Sequence, residues 1–286
     1  AASGSAAASG SAAASGSAAG GKIVIGSANF PESALIANIY LEALKTKGID
    51  ASTNLNIGSR EVYIKALEDG SIGLVPEYTG VLLQYYDKTA TQTSSDDVYT
   101  ALQAKLPADL TVLDKSAAED KDSIVVTKDT ADANNLKSIG DLKDLASTFV
   151  LGGPSEFQTR PDGVPGLLKN YGLTFKEFKA LDAGGPLTVG ALTSDQIQAG
   201  DLFTTDPSIA ANNFVVLEDP DNNFAAQNIL PLIAGSLATP EVKDALNAVS
   251  AKLTTETLTE LLTKVQVDKQ DSAQVAQEWF AANFPS

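Results

Sequence analysis

Residues 22–33 read KIVIGSANFPES, and this stretch decides the fold. Its first four residues form a short β-branched run that stops at Gly26, which is typical of a buried strand. A helix is predicted to begin at Pro31, because the fixed φ of proline suits the first helical position and Glu32 favours the helix dipole. Apolar residues then recur at helical spacing as far as Gly48. The segment therefore predicts a strand followed by a helix.

The same alternation continues along the chain on both sides of an irregular middle. Strands are predicted at residues 54–57 and 72–75, with a helix between them. A second set of strands and helices begins at Ser123, and the residues from Thr239 onward are predicted to be helical. Alternating strands and helices imply parallel sheets with helices on their faces, so the predicted fold class is α/β. The length of 286 residues is close to the size at which one core divides into two lobes.

The composition excludes several classes of function. The chain contains no cysteine, histidine or methionine. Thiol nucleophiles, disulfides, imidazole bases and Cys or His metal ligands are therefore excluded, and we expect neither a cofactor nor a metal. The net charge of −16 argues against nucleic acid and against an anionic membrane surface as partners. No apolar run approaches the roughly 18 residues of a membrane-spanning helix, so no direct membrane span is expected.

Residues 1–20 form a low-complexity repeat. Within it, Ser-Gly-Ser and Ala-Ala runs alternate with a period of six residues. Such a segment cannot bury enough apolar surface to order itself, so we expect a disordered tether. Bacterial lipoproteins carry spacers of this kind after their lipid anchor, which predicts an extracytoplasmic protein, either a cell-surface lipoprotein or periplasmic. An engineered linker is the alternative interpretation.

Polar residues that directly follow strands are the candidates for ligand binding. In α/β folds, ligands bind in the crevice beyond the carboxyl ends of the strands. Some of these residues also precede helices, where a side chain such as that of Ser59 or Asp206 could simply cap the helix. The candidates are Ser27, Asn29, Ser59, Arg60, Tyr78, Thr79, Glu156, Phe157, Arg160, Phe203, Thr204 and Asp206.

Two of these candidates have specific alternatives. Arg160 lies in a turn-rich loop, where its planar guanidinium could hold a carboxylate of the ligand. A structural salt bridge to Glu156 or to Asp162 is the other interpretation. Tyr78 ends an apolar strand, so its ring could form one wall of a pocket or be buried in the core.

Four segments taken together resemble a known family. They are residues 25–33 (IGSANFPES), residues 66–80, residues 156–163 (EFQTRPDG) and residues 203–206 (FTTD). They follow one another in the family's order over nearly all of residues 22–286. On these segments the sequence resembles the glycine betaine, choline and carnitine binding proteins of osmoprotectant ABC importers.

This resemblance implies a two-lobed fold of the class II periplasmic-binding-protein type, with two crossovers between the lobes. The crossovers are expected near residues 122–123 and 228–229. Lobe 1 would comprise residues 21–122 and 229–286, and lobe 2 residues 123–228. The resemblance further implies a monomeric receptor that closes over a small molecule and delivers it to an ABC permease and its ATPase.

The ligand box implied by the resemblance is only partly present. Family members that hold quaternary ammonium groups typically surround them with tyrosines, because a desolvated cation gains energy over a ring face. Tyr78 matches one wall, but Phe203 stands where a tyrosine is common and Asp122 where another is expected. Gln227 and Asn228 replace an aromatic pair. Losing two rings at about 0.5 to 2 kcal/mol each would weaken betaine binding about ten- to thousand-fold.

Other residues could compensate for the missing rings. Asp122 is expected to attract a cationic ligand by its charge, while Arg160 with Ser27 and Asn29 could hold the ligand's carboxylate. A zwitterion is therefore the leading expectation. An amino-acid derivative, a sugar-like compound and a polyphenolic compound remain alternatives.

Two other functions compete with a transport receptor. Glu77 and Asp206 could act as the acid and base of a glycoside hydrolase, but no spacing singles out a carboxylate pair among so many acidic residues. An enzyme is therefore not expected. The second rival is a sensory or permease-fused binding domain with the same fold.

Overall fold

The chain folds into two α/β units, each built on a five-stranded sheet. The structure is a computed structural model that describes residues 21–285. The predicted tether at residues 1–20 lies outside the described residues. Within residues 21–285, no helix is long and apolar enough to cross a membrane.

The first unit alternates strands and helices as the apolar pattern predicts. Its first helix begins at Pro31 with Glu32 in the first turn, which confirms the expected start. Its elements are β1 (Ile23–Ala28), α1 (Pro31–Thr46), β2 (Ala51–Gly58), α2 (Arg60–Glu68), β3 (Leu74–Tyr78), α3 (Thr79–Tyr86), α4 (Ser95–Lys105) and β4 (Leu110–Val112).

The second unit repeats the alternation with shorter elements. A short 3-10 turn at Ile139–Leu142 is one example. The elements are β5 (Asp122–Val126), α5 (Lys128–Asn134), β6 (Val150–Pro154), α6 (Val164–Tyr171), β7 (Glu177–Leu181), α7 (Pro186–Thr193), β8 (Ala199–Phe203), α8 (Pro207–Ala211) and β9 (Val215–Val216).

The chain then returns to the first unit through β10 (Ile229–Ala234), which is followed by α9 (Pro240–Ser250), α10 (Thr255–Leu262) and α11 (Ser272–Asn283). The strands of the first sheet lie in the order β2-β1-β3-β10-β4 and those of the second in the order β7-β6-β8-β5-β9. The two sheets therefore have the same topology. In each sheet, the strand entered directly after the chain crosses over runs antiparallel to its neighbours. The other pairs, β1 with β2 and β3, and β6 with β7 and β8, are parallel.

The register of these antiparallel strands brings the ends of the two sheets together. Ile229 at the start of β10 pairs with Tyr78 at the end of β3. Asp122 at the start of β5 pairs with Phe203 at the end of β8. Each crossing therefore enters its new sheet beside the carboxyl end of a neighbouring strand, which is where α/β folds bind ligands.

The hydrophobic core is divided between the two units. Each of the hydrophobic clusters found among the described residues belongs to one sheet and its helices. The crossing segments pair with each other, since Asp120 N–H donates to Gln227 O at 3.2 Å and Ile229 N–H donates to Ala118 O at 3.1 Å. Two separate cores joined by paired segments can move against each other, whereas one shared core could not. The exact lobe boundaries at residues 122 and 228 stay a prediction.

Candidate functional site

A cavity lies between the two units at the ends of their strands. It encloses about 520 Å³, counting the part open to solvent, which is in the range of small-molecule sites. Residues that follow strands of both sheets line it, together with residues from both crossing segments. They are Ala28, Asn29, Phe30, Ser59, Arg60, Tyr63, Tyr78, Val81, Asp120, Asp122, Pro154, Glu156, Arg160, Ala183, Phe203 and Gln227.

A buried ion pair forms the floor of the cavity in the first unit. Arg60 Nε and Nη2 donate to Glu77 Oε1 and Oε2 at 2.8 and 2.9 Å, and the Tyr63 hydroxyl donates to Glu77 Oε1 at 2.6 Å. Burial acts to lower the pKa of Arg60, but the adjacent Glu77 carboxylate outweighs this effect and raises it. Arg60 and Glu77 therefore neutralise each other in a fixed geometry.

Arg160 forms an ion pair across the cavity. Its Nε and Nη2 atoms each donate to a carboxylate oxygen of Glu61 at 3.3 Å, so a loop of the second unit is joined to α2 of the first. Burial acts to raise the pKa of Glu61, but the charge of Arg160 and the hydrogen bonds from Ser59 and Arg160 together lower it to about 2. Of the two interpretations of Arg160, the salt bridge within the loop, to Glu156 or Asp162, is not formed, because Arg160 reaches Glu61 in the opposite unit.

A second link between the units centres on Glu32. The Tyr78 hydroxyl donates to Glu32 Oε1 at 2.7 Å, and the Thr205 hydroxyl donates to Oε2 at 2.6 Å. Burial raises the pKa of Glu32 to about 7 despite these donors. Tyr78 is only 5% exposed, so it packs as a core residue while one side of its ring lines the cavity. Both interpretations of this residue therefore hold.

Further carboxylates with raised pKa values surround the first crossing. Burial, followed by the charge of Glu32, raises the pKa of Asp120 well above its usual value. Burial also raises the pKa of Asp122, although the nearby Arg160 opposes this change. The pKa of Asp201 is raised well above normal by burial and by the charge of Asp122. The surroundings of these carboxyl groups disfavour their ionised forms. A cation bound between them would favour the ionised forms and would itself be stabilised.

The aromatic lining differs from the expected box. The Phe30 ring lies 4.9 Å from the Phe203 ring and 6.0 Å from the Tyr78 ring, measured between centroids. Tyr63 adds a fourth ring, but it is 2% exposed and its hydroxyl donates to Glu77. Phe30 and Phe203 are half-buried and form one continuous wall.

The structure brings most of the predicted residues together. That these side chains contact a solute stays a prediction. Ser59 precedes α2, but its side chain makes no capping hydrogen bond. The Gln227 side-chain oxygen accepts from the N–H groups of Gly80 and Val81 and so ties the second crossing to α3. The predicted residues that line the cavity are Asn29, Ser59, Arg60, Tyr78, Asp122, Glu156, Arg160, Phe203 and Gln227.

Three predicted residues hold the backbone of the first unit and do not line the cavity. The Ser27 hydroxyl donates to Ala28 O and accepts from Asn56 N–H. The Thr79 hydroxyl donates to Ala226 O and accepts from Asn228 N–H. The Asn228 side chain donates to Ser116 O. These side chains use their polar atoms to fix turns and the crossing, and ligand binding by them stays a prediction.

Three predicted residues of the second unit also lie outside the cavity. Phe157 is 2% exposed and packs in the core against Phe178 and Phe224. The Thr204 hydroxyl accepts from Lys121 N–H at the crossing. Asp206 caps α8 by accepting from Ser208 N–H at 2.8 Å, which is the capping alternative raised by the sequence.

Several lining residues were not predicted from the sequence. Asp120 lies two residues before the predicted crossing, and its Oδ1 accepts from Thr205 N–H at 3.1 Å. Phe30 directly follows the predicted Asn29, so extending that segment by one residue would have included it. Tyr63 lies one helical turn after Arg60, on the same face of α2. The spacing of Arg60 and Tyr63 was the available signal.

The chain is similar to known solute receptors over almost its whole length. Residues 21–282 match the family described as the substrate binding domain of the ABC-type glycine betaine transport system. The chain is 27% identical over 272 residues to the glycine betaine-binding protein YehZ of Escherichia coli (strain K12), covering 90% of this chain and 89% of that protein. It is 24% identical over 273 residues to the carnitine transport binding protein OpuCC of Listeria monocytogenes, covering 91% of this chain and 86% of that protein.

A solved structure supports the same conclusion for the fold. The crystal structure of a glycine betaine/carnitine/choline ABC transporter protein matches with a TM-score of 0.72 and 25% sequence identity. The match covers 92% of this chain and 99% of that one. The predicted two-lobed periplasmic-binding-protein fold is therefore confirmed.

Proposed function

Because this chain belongs to the family of substrate-binding domains of ABC-type glycine betaine transport systems, we propose that it captures a small cationic or zwitterionic solute and presents it to an ABC importer. The observation that carries this proposal is the cavity between two separately packed lobes, lined from both sides by charged and aromatic side chains. The relatives are named for glycine betaine and carnitine, which are small solutes with a quaternary ammonium group.

Binding in this cavity would be coupled to closure of the lobes. A solute that contacts residues of both sheets stabilises the closed arrangement by its differential affinity for that state. Side-chain hydrogen bonds such as those of Arg160 with Glu61 and of Thr205 with Glu32 already span the lobes. The solute would add contacts between the Phe30 and Phe203 wall and the carboxylates of the first crossing.

The proposed partners follow from the role of the family. The closed, loaded form would dock on a permease whose ATPase drives import, and the chain itself would perform no chemistry. We further propose an extracytoplasmic location, a lipid anchor and a monomeric state. Charge steering fits a cationic solute, since the net charge of −16 favours its approach.

A thermal-shift screen of small solutes tests this function. The purified chain is mixed with one solute at a time, chosen from glycine betaine, choline, carnitine, amino acids and the amines that correspond to those amino acids. A solute that binds only the folded protein raises the melting temperature in proportion to the logarithm of its concentration. We expect at least one cationic or zwitterionic solute to raise it, and small-angle scattering to show a more compact particle with that solute present.

The test variant is Phe203→Ala, which removes half of the aromatic wall without altering a charge, and its matched control is Phe214→Ala. Phe203→Ala should reduce the ligand-induced shift, while Phe214→Ala, in the core of the second lobe, should lower the melting temperature without selectively reducing the shift. Failure of every cationic and zwitterionic solute to stabilise the folded chain would contradict the proposed function.

A further inference from the structure

Two carboxylates on the first crossing face the cavity together. Asp120 and Asp122 are two residues apart where the chain enters β5, and both line the cavity. The crossing joins the two lobes, so a solute held between the lobes lies beside both carboxylates. Asp120 is fixed there by hydrogen bonds from Thr205 N–H at 3.1 Å and from the Thr204 hydroxyl at 3.3 Å.

The arginines that line the cavity direct the hydrogen bonds of their side chains to other acids. Arg60 binds Glu77 through two hydrogen bonds, and Arg160 binds Glu61 in the same way. Both acceptors lie outside the set of residues that line the cavity. After these two pairs are set aside, Asp120, Asp122 and Glu156 remain as acidic groups that line the cavity without a hydrogen-bonded cation among the described residues.

A neighbouring carboxylate has an acceptor without a donor. Asp201 lies on β8 two residues before Phe203, which pairs with Asp122 in the sheet. It is 1% exposed, and its Oδ1 atom accepts no hydrogen bond from the described residues. Buried acceptors are rarely left unpaired in native proteins. Burial and the charge of Asp122 raise the pKa of Asp201, and a cation bound beside these groups would lower it.

Two of the rings that line the cavity pack against each other. Phe30 and Phe203 contact each other at 4.9 Å with their planes tilted by 44°, so they form a single wall. The hydroxyls of Tyr63 and Tyr78 donate to Glu77 and Glu32. A trimethylammonium group would therefore have rings on one side and carboxylates on the other. It has no N–H donor, so it would separate these carboxylates from water without replacing their hydrogen bonds.

We infer that the solute carries a cationic group with N–H donors, an ammonium or guanidinium group, which Asp120 and Asp122 bind across from the Phe30 and Phe203 wall. This inference rests on the proposed function and specifies its substrate class. The rings cover the carbon skeleton next to the charged group, and the carboxylates accept its N–H bonds. Methylation of the nitrogen is therefore expected to weaken binding.

A methylation series tests the inference directly. Glycine, N-methylglycine, N,N-dimethylglycine and glycine betaine share a carboxylate and lose one N–H donor at each step. Ethanolamine and its N-methylated series, which ends in choline, do the same without a carboxylate. Calorimetry and thermal-shift measurements at high millimolar concentrations of each solute should show that binding weakens with each added methyl group. The quaternary members should bind about ten- to hundredfold more weakly than the primary ones, the range for hydrogen bonds to charged groups.

Substitutions identify the groups that read the N–H donors. Asp120→Asn and Asp122→Asn remove the charge but keep the size, and each should weaken primary ammonium binding at least about tenfold. The same changes should affect the quaternary members less. Asp244→Asn, on the exposed side of α9, removes the same charge far from the cavity and should leave all affinities unchanged. Melting temperatures without solute establish that each variant is folded.

Two outcomes would overturn the inference, and they differ in what they say about the proposed function. Tighter binding of glycine betaine or choline than of their unmethylated counterparts would refute the inference and uphold the function. Absence of binding by every member of both series would count against the inference and the function together.

Discussion

Two groups of buried acids on either side of the cavity have opposite surroundings. Glu77 is fully buried and receives hydrogen bonds from Arg60, from the Tyr63 hydroxyl and from Tyr78 N–H. Asp201 and Asp162, in the second lobe, are 1% and 3% exposed, and each has a side-chain oxygen without a partner among the described residues.

This difference separates an acid that supports the fold from acids whose oxygens are left for binding. Every oxygen of Glu77 is satisfied within the chain, so this side of the cavity is complete before any solute arrives. The second group is incomplete, because burial and the charge of Asp122 raise the pKa values of both carboxyl groups and each has an oxygen without a donor among the described residues. A site that binds cations needs such unsatisfied acceptors, and a lobe that folds around them is less stable for it.

The largest expected effect is the decrease in stability when the ion pair of Arg60 and Glu77 is broken. Arg60→Ala leaves the Glu77 carboxylate buried without its cation, and breaking a buried ion pair costs about 3 to 5 kcal/mol. Urea denaturation should show this decrease in the free energy of unfolding. Lys65→Ala, an exposed position on the same helix, is the control and should change little.

The double variant Arg60→Met with Glu77→Leu sharpens the same comparison. It removes both charges, so it should recover much of the stability that Arg60→Ala loses. If Arg60→Ala alone cost less than about 1 kcal/mol, the value of an exposed pair, Glu77 would not be held as described.

The next effect is a pH dependence that arises in the incomplete group. Burial, with the charge of Asp122, raises the pKa of Asp162 to about 7. The folded chain then holds more protons than the unfolded chain between about pH 4 and pH 7, so its stability falls as the pH rises through this window. The expected loss from Asp162 is on the order of 3 kcal/mol.

Asp162→Asn should remove this part of the dependence, because the amide stays neutral. Urea denaturation at pH 5 and at pH 8 measures the difference between the variant and the original chain, and Asp244→Asn serves as the exposed control. A variant that loses as much stability as the original chain between the two pH values would show that Asp162 is already ionised at pH 5.

The smallest effect concerns the ion pair that spans the cavity. Arg160 and Glu61 have side chains that are 20% and 46% exposed, so their pair should contribute only about 0.2 to 1 kcal/mol to closure. Glu61→Gln should shift the lobes towards the open arrangement, seen as a larger radius of gyration without solute. Glu68→Gln, exposed on the same helix, should not. An unchanged radius in Glu61→Gln would show that other contacts, such as Thr205 with Glu32, hold the lobes.

Local patterns were sufficient to predict most of the fold. The β-branched run of β1 and the proline start of α1 gave the first strand and helix, and their repetition gave the α/β class. β10 was not predicted as a strand, because Pro231 interrupts its apolar run and prolines are unusual inside sheets. Its place between two strands of the first sheet depends on pairings with distant residues, which no local pattern contains.

The site was predictable only where chain position decides it. Residues at the ends of strands or just after them, such as Asn29, Arg60 and Tyr78, line the cavity as the topology requires. Which acid pairs with which base was not predictable, because Arg160 meets Glu61, a residue 99 positions away in the chain. The same limit applies to Asp201, whose missing donor becomes visible only when its neighbours are known.

The position of β10 also determines the order in which the chain can be completed. The second sheet is built from the continuous stretch between Asp122 and Val216, whereas the first lacks the strand that joins β3 to β4 until Ile229–Ala234 has been synthesised. A nascent chain therefore exposes the unpaired edge of β3 while its later half is still being made. Unpaired edges of this kind favour aggregation. Holding such an incomplete chain unfolded until its last segment is available would protect it.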